Sequence, residues 1–180
     1  MKVFCYGDSN TYGYDPRSVF GSRYPTDARW TDLLAEKTGW KIVSEGENGR
    51  SIPRGSICVP AETDLLIVLL GSNDLLQNAE AEIVSSRMEH FLQQIAIDRK
   101  KILLIAPPPM QRGAWVPSDS LVAESCRLAE RYRELTVRLG IRFADAGAWN
   151  VELTFDGVHF SEEGHRAFAA GLYRFLQEGE

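Results

Sequence analysis

The amino-acid sequence predicts an α/β fold, a parallel β-sheet with helices on both of its faces. Short β-like runs alternate along the chain with segments of helical periodicity, the pattern left by strand, crossover helix and parallel strand. The run Leu65-Leu66-Ile67-Val68-Leu69-Leu70 is apolar on both faces of a strand, as a central strand covered by helices on each side must be.

In chain order, the first strand is expected over Lys2 to Tyr6, closed by Gly7-Asp8. Trp30, Leu33, Leu34 and Lys37 then recur at helical intervals, and Lys41 to Ser44 reads as the second strand. Asp64 to Leu70 is the third and should occupy the middle of the sheet. A helix follows on Ile83, Met88, Phe91, Leu92 and Ile95, then a fourth strand over Lys101 to Ala106. Leu121, Cys126, Leu128, Tyr132 and Leu135 mark another helix, Ile141 to Ala144 the fifth strand, and Ser161 the start of a last helix.

A length of 180 residues, with 44% hydrophobic and 25% charged, suits one domain spanning 1–180, and no repeat or low-complexity linker suggests a second. The net charge of -5 is spread over interspersed acids and bases, which removes the electrostatic footprint for nucleic acid or an anionic membrane. A small molecule is the expected partner, and a homo-oligomer is compatible with the composition. No apolar run is long enough to span a bilayer, and Met1 to Tyr6 lacks a signal peptide's apolar core, so a cytoplasmic location is expected. Cys5, Cys58 and Cys126 have no CxxC spacing and are expected to be reduced and structural. No cofactor or metal is expected: there is no Gly-x-Gly-x-x-Gly or Walker pattern, and His159 and His165 lack the spacing of a helical ligand pair.

In open α/β sheets ligands bind beyond the carboxyl ends of the strands. The chain places Gly7 to Asn10, Asn48-Gly49-Arg50, Gly71 to Asp74 and Pro107-Pro108-Pro109 there. Irregular stretches at Thr11 to Asp27, Asn48 to Thr63 and Pro107 to Asp119 should frame a pocket.

Ser9, following a strand and a glycine, offers a hydroxyl at the sheet edge, although a lone serine there is also ordinary turn or N-cap chemistry. Asp156-Gly157-Val158-His159 changes that balance. A separation of three residues lets the carboxylate orient one ring nitrogen of His159 and leaves the other for the nucleophile's proton. Chemistry alone leaves Asp8, Asp74 and Asp145 open as the acid, but only Asp156 has a spacing that guarantees proximity. Asn73, directly after the buried third strand, can donate its amide to an oxyanion, with backbone N–H groups of Ser9 and a glycine such as Gly49 completing the hole. Gly-Ser-Asn-Asp is also good turn chemistry, and Asp74 could simply cap the next segment. His90 and His165 read as structural or surface residues. There is no Gly-x-Ser-x-Gly, which argues against an α/β-hydrolase elbow.

Together these strings resemble the SGNH hydrolases, also called the GDSL esterase family. The four signature residues map in order onto Ser9, Gly49, Asn73 and His159, with Asp156 as the acid, and the resemblance runs from Phe4 to about His165. Arg29-Trp30-Thr31, Glu45 to Arg50 and Ala106-Pro107-Pro108-Pro109 look like the branch of bacterial arylesterases and acyltransferases. The resemblance implies a flavodoxin-like three-layer α/β/α sandwich with strand order 2-1-3-4-5, and a structural Asp8 beneath the nucleophile. Asn10 replaces the leucine of the family's GDSL name, a change expected to be tolerated because that side chain does no chemistry. Asn48-Gly49 is a loose match to the second block.

The resulting expectation is a serine esterase using a covalent acyl-enzyme and acting on short-acyl, acetyl-like esters, because loops of about a dozen residues give little material for a deep acyl tunnel. Tyr12, Tyr14, Trp115 and Phe160 are the expected pocket walls, each also explicable as ordinary packing. Carbohydrate deacetylation, thioester or lysophospholipid hydrolysis and acyl transfer use the same machinery. A non-enzymatic binding domain is the remaining alternative.

Overall fold

The computed structural model describes residues 1–18 and 20–178. Five strands form one all-parallel sheet in the order β2-β1-β3-β4-β5: β1 Lys2–Gly7, β2 Lys41–Gly46, β3 Leu65–Leu69, β4 Ile102–Ala106 and β5 Arg142–Asp145. Every residue of β3 and β4 is buried, whereas β2, at the edge, alternates between exposed and half-buried positions. The strand positions match the sequence reading to within one residue at either end, except that β2 runs two residues further, to Gly46, and the fold is the expected flavodoxin-like α/β/α sandwich.

Alternation along the strands divides the core into two layers. Phe4, Tyr6, Leu66, Val68 and Leu104 pack with Val84, Met88 and Phe91 of α4 (Ala81–Gln93) and Leu128, Tyr132 and Leu135 of α5 (Asp119–Leu139). Val3, Cys5, Leu65, Ile67, Leu103 and Ile105 face the other way. They meet Trp30 and Leu34 of α2 (Trp30–Thr38) and Phe168, Leu172 and Leu176 of α6 (Glu162–Glu178). Among the described residues, no helix is long and apolar enough to cross a membrane.

One residue in each of two helical readings falls on the exposed face instead of the core. Ile83 is exposed and its neighbour Val84 fills the core, while Cys126 is exposed and Ser125 faces inward, its hydroxyl accepting from the Met110 amide. Cys58 is exposed as well, so of the free cysteines only Cys5 has the expected buried, structural setting.

Two short helices were invisible to periodicity because each spans about one turn: α1 (Ser9–Tyr12) and α3 (Ser72–Leu76). Each begins just beyond a strand at the same sheet edge, since Gly7 pairs with both Gly46 and Leu69. Gly71 enters α3 with φ 124°, a conformation that disfavours any side chain, and a Cβ there would sit 2.7 Å from the Tyr132 hydroxyl. That hydroxyl donates to the Leu70 carbonyl, tying the end of β3 to α5.

Candidate active site

Asp8 caps α1 by accepting the Asn10 amide at 2.9 Å, which places Ser9 as the first residue of a helical turn above β1. The Asp8 carboxyl is buried, and burial raises its pKa to about 6, against the lowering influence of the Asn10 amide and His159. The Ser9 N–H donates to no protein group among the described residues, as is usual for the first amide of a helix.

The segment after β5 doubles back, with Leu153 and Phe160 forming an antiparallel bridge and the Thr154 amide donating to the His159 carbonyl at 2.8 Å. Within this loop Asp156 Oδ1 accepts the amides of Val158 and His159, both at 2.9 Å. Asp156 Oδ2 lies 2.6 Å from His159 Nδ1, and His159 Nε2 lies 3.0 Å from Ser9 Oγ. Burial alone would raise the Asp156 pKa, but the hydrogen bonds from the His159 ring and the two amides outweigh it and hold the group at about 2. It is therefore ionised beside the imidazole at neutral pH. Ser9, Asp156 and His159 are each at most 5% exposed.

Asn73, on α3, donates through Nδ2 to the Arg50 carbonyl at 3.1 Å, and its second amide hydrogen remains available. Gly49 lies at an exposed turn with φ 76°, and its N–H makes no hydrogen bond to protein among the described residues. Arg50 pins this loop to the nucleophile strand: its guanidinium donates to the Gly7 carbonyl at 3.0 Å and to Glu47 at 2.8 Å, and stacks over the Tyr6 ring. Asp74 does not cap α3. Its buried carboxylate accepts the Ile52 amide and Arg87, both at 2.9 Å, so it clamps the Gly49 loop against α3 and α4. Sequence reasoning passed over Arg50 and Asp74 as anchors, and the available signal was their adjacency to Gly49 and Asn73.

Of the other acids weighed, Asp145 caps a short turn through the Gly147 amide and pairs with Arg133. His165 is fully buried, and burial lowers its pKa to about 3, helped by Arg29 and His159. His90 is exposed on α4.

The expected pocket walls separate. Tyr14 and Trp115 both stand edge-on to the His159 ring, with centroid distances of 4.8 and 4.9 Å. Trp115 also borders a cavity of about 290 Å³ whose apolar wall includes Leu75, Leu76, Ala79 and Leu121. Tyr12 carries the Arg23 guanidinium over its ring at 4.4 Å. Phe160 has no exposed surface and packs on His165 and Phe168, so it belongs to the core and not to a pocket wall. The Leu153–Phe160 bridge explains this, because successive residues of an extended segment point to opposite sides and His159 takes the open one.

Comparison with known proteins places this arrangement. Residues 5–167 match the model of the GDSL-like lipase/acylhydrolase family. The chain belongs to that family. As a GDSL-like acylhydrolase it is a carboxylic ester hydrolase of the SGNH class. The fold is shared with a protein from Agrobacterium tumefaciens described as an arylesterase, at 29% identity and TM-score 0.81, covering 98% of each chain. A carbohydrate acetylesterase family member from Sinorhizobium meliloti is 26% identical with TM-score 0.81, covering 98% of this chain and 97% of the other. The M. smegmatis aryl esterase, 23% identical over 98% of each chain with TM-score 0.80, shares the fold. No curated protein matches this acylhydrolase significantly in sequence.

Proposed function

We propose that this acylhydrolase is a serine esterase for short-acyl, acetyl-like esters, its triad formed by Ser9, His159 and Asp156 within a single domain spanning residues 1–180. The observation that carries the proposal is the buried relay in which Asp156 meets one nitrogen of His159 and Ser9 Oγ the other. In the first half-reaction His159 Nε2 takes the Ser9 proton as Oγ attacks the ester carbonyl carbon. The carbonyl oxygen becomes the oxyanion, received by the free N–H groups of Ser9 and Gly49 and by the spare hydrogen of Asn73 Nδ2. Ionised Asp156 stabilises the imidazolium, which then protonates the departing alcohol oxygen as the carbon–oxygen bond breaks. In the second half-reaction His159 deprotonates a water that attacks the acyl-enzyme, and the proton returns to Ser9 Oγ as the acid leaves.

Support for a small acyl group comes from Trp115, which stands between the His159 ring and a cavity of only about 290 Å³. The acetylesterase family member at 26% identity points the same way. Deacetylation of a carbohydrate is the second reading, favoured by that same relative. A serine-directed phosphonate followed by peptide mass mapping tests the assignment. Labelling is expected at Ser9, with parallel loss of p-nitrophenyl acetate hydrolysis, and activity surviving stoichiometric labelling elsewhere would refute it.

A further inference from the structure

Asn10 uses each of its four polar groups. Its amide donates to Asp8 Oδ1 at 2.9 Å and its carbonyl accepts the Trp30 indole N–H at 3.0 Å. Its side-chain Nδ2 donates to the Val158 carbonyl at 3.2 Å, and Oδ1 accepts the Phe160 amide at 2.9 Å. The residue directly after Ser9 thus grips the backbone on either side of His159 from 150 positions away. The side chain is 4% exposed, so no solvent replaces these partners.

We propose that Asn10 is a positioning residue that holds His159 at hydrogen-bonding distance from Ser9, a role that rests on the triad assigned above. Ser9 and His159 sit on separate segments, and the loop bearing the histidine is held by bonds within itself and by the amides of Gln111, Ala114 and Trp115, none of which ties it to the nucleophile turn. The two amide bonds of Asn10 make that loop move with the nucleophile turn. Both a donor and an acceptor are required in one rigid, planar group, which asparagine supplies. Leucine, the residue of the family's name at this position, would leave the Val158 carbonyl and Phe160 amide buried without partners. Asn10 thus does no chemistry, yet it sets the geometry in which chemistry occurs.

Two variants test this. Asn10→Leu should lower kcat by about 10- to 100-fold, the scale expected when a reacting group is misplaced by about an ångström, with KM changed by less than about threefold. Amide exchange at Phe160 should accelerate in the same variant. Asn10→Asp gives a sharper readout. Its protonated carboxyl donates O–H to Val158 and accepts from Phe160 as the amide does, whereas the ionised form turns a second acceptor toward the Val158 carbonyl. The other ionisable groups facing this loop are Asp8, Asp156, His159 and, behind Phe160, His165, with Arg29 as the nearby fixed charge. The quantity to follow is therefore the kcat ratio of variant to wild type, which should fall by about tenfold or more from pH 5 to pH 8. A ratio flat with pH overturns the proposal even where Asn10→Leu fails to fold, as does an Asn10→Leu enzyme within twofold of wild-type kcat. Ser9→Ala, assayed alongside, separates the two readings: if it stays active the triad itself is wrong, and if it is inactive while Asn10→Leu is normal, only the positioning role falls.

Discussion

The Asn73 side chain donates to the Arg50 carbonyl at 3.1 Å and so joins the turn after β3 to the loop after β2. Asp74, the next residue, accepts the Ile52 amide at 2.9 Å, so consecutive side chains of one helical turn hold both sides of Ser51. The free Gly49 N–H and the spare Asn73 hydrogen are thereby held on a single braced unit. A rigid donor set stabilises developing charge without reorganising during the reaction.

Asn73→Ala should lower kcat by about 10² to 10³ with a much smaller change in KM, because the lost donor meets its full charge only in the tetrahedral intermediate. Steady-state kinetics on p-nitrophenyl acetate would check it. A rise in KM alone would make Asn73 a ground-state contact and place the oxyanion elsewhere.

Ser9→Ala should lower kcat by about 10³ to 10⁶ while the protein stays folded, since the hydroxyl carries the covalent step and contributes little to the core. His159→Ala should be nearly as damaging. Circular dichroism and thermal melts alongside the assay distinguish lost chemistry from lost structure, and an alanine variant keeping most of its activity would remove Ser9 from the mechanism.

The fold was legible because its signals are local: β3 is apolar on both faces, and every strand runs out into Gly, Asp or Pro. The approach of Asp156 to His159 was legible for the same reason, being fixed by a spacing of three residues. The side-chain bonds of Asn10 were not legible because its partners lie 148 and 150 positions away, a relation no spacing rule encodes. Ile83 was misread because the adjacent apolar Val84 leaves the phase of the helix open by one step, and Cys126 because the buried position beside it is held by a serine, whose polarity hides it from an apolar pattern. Phe160 was assigned to a wall because proximity to His159 in sequence was taken for proximity in orientation, which the Leu153–Phe160 bridge inverts.

Asp8 should make stability fall as pH rises. Its folded pKa of about 6 exceeds the ordinary value of 3.8, so between these values the folded protein keeps a proton that the unfolded chain has lost. The stabilisation is complete below about pH 4 and gone above about pH 6. Asp8→Asn keeps an acceptor for the Asn10 amide and removes the ionisation. It should be more stable than wild type by about 1–3 kcal/mol at pH 7–8, the difference vanishing near pH 4. Urea denaturation of both proteins across that range measures the difference directly and cancels the opposite slope from Asp156, whose pKa of about 2 contributes stability that is lost on acidification. Equal stability at pH 8 would show that Asp8 ionises without penalty.

The short-acyl preference depends most on Trp115. Its ring is 49% exposed, stands edge-on to His159 and closes one side of the cavity of about 290 Å³. In the wild type, kcat/KM should peak between acetyl and butyryl esters, because longer chains must clash with the indole or remain in water. Trp115→Ala opens the way to the apolar side chains of Leu75, Leu76 and Leu121. Each methylene that becomes buried contributes about 0.8 kcal/mol, roughly fourfold in kcat/KM, so the hexanoyl-to-acetyl ratio should rise by about tenfold or more in the variant. A series of p-nitrophenyl esters from acetyl to dodecanoyl measures both profiles. A wild-type optimum at dodecanoyl would remove Trp115 as the barrier and reassign the enzyme to long-chain lipids, whereas an unchanged ratio in Trp115→Ala would mean that the acyl chain leaves the triad by another route.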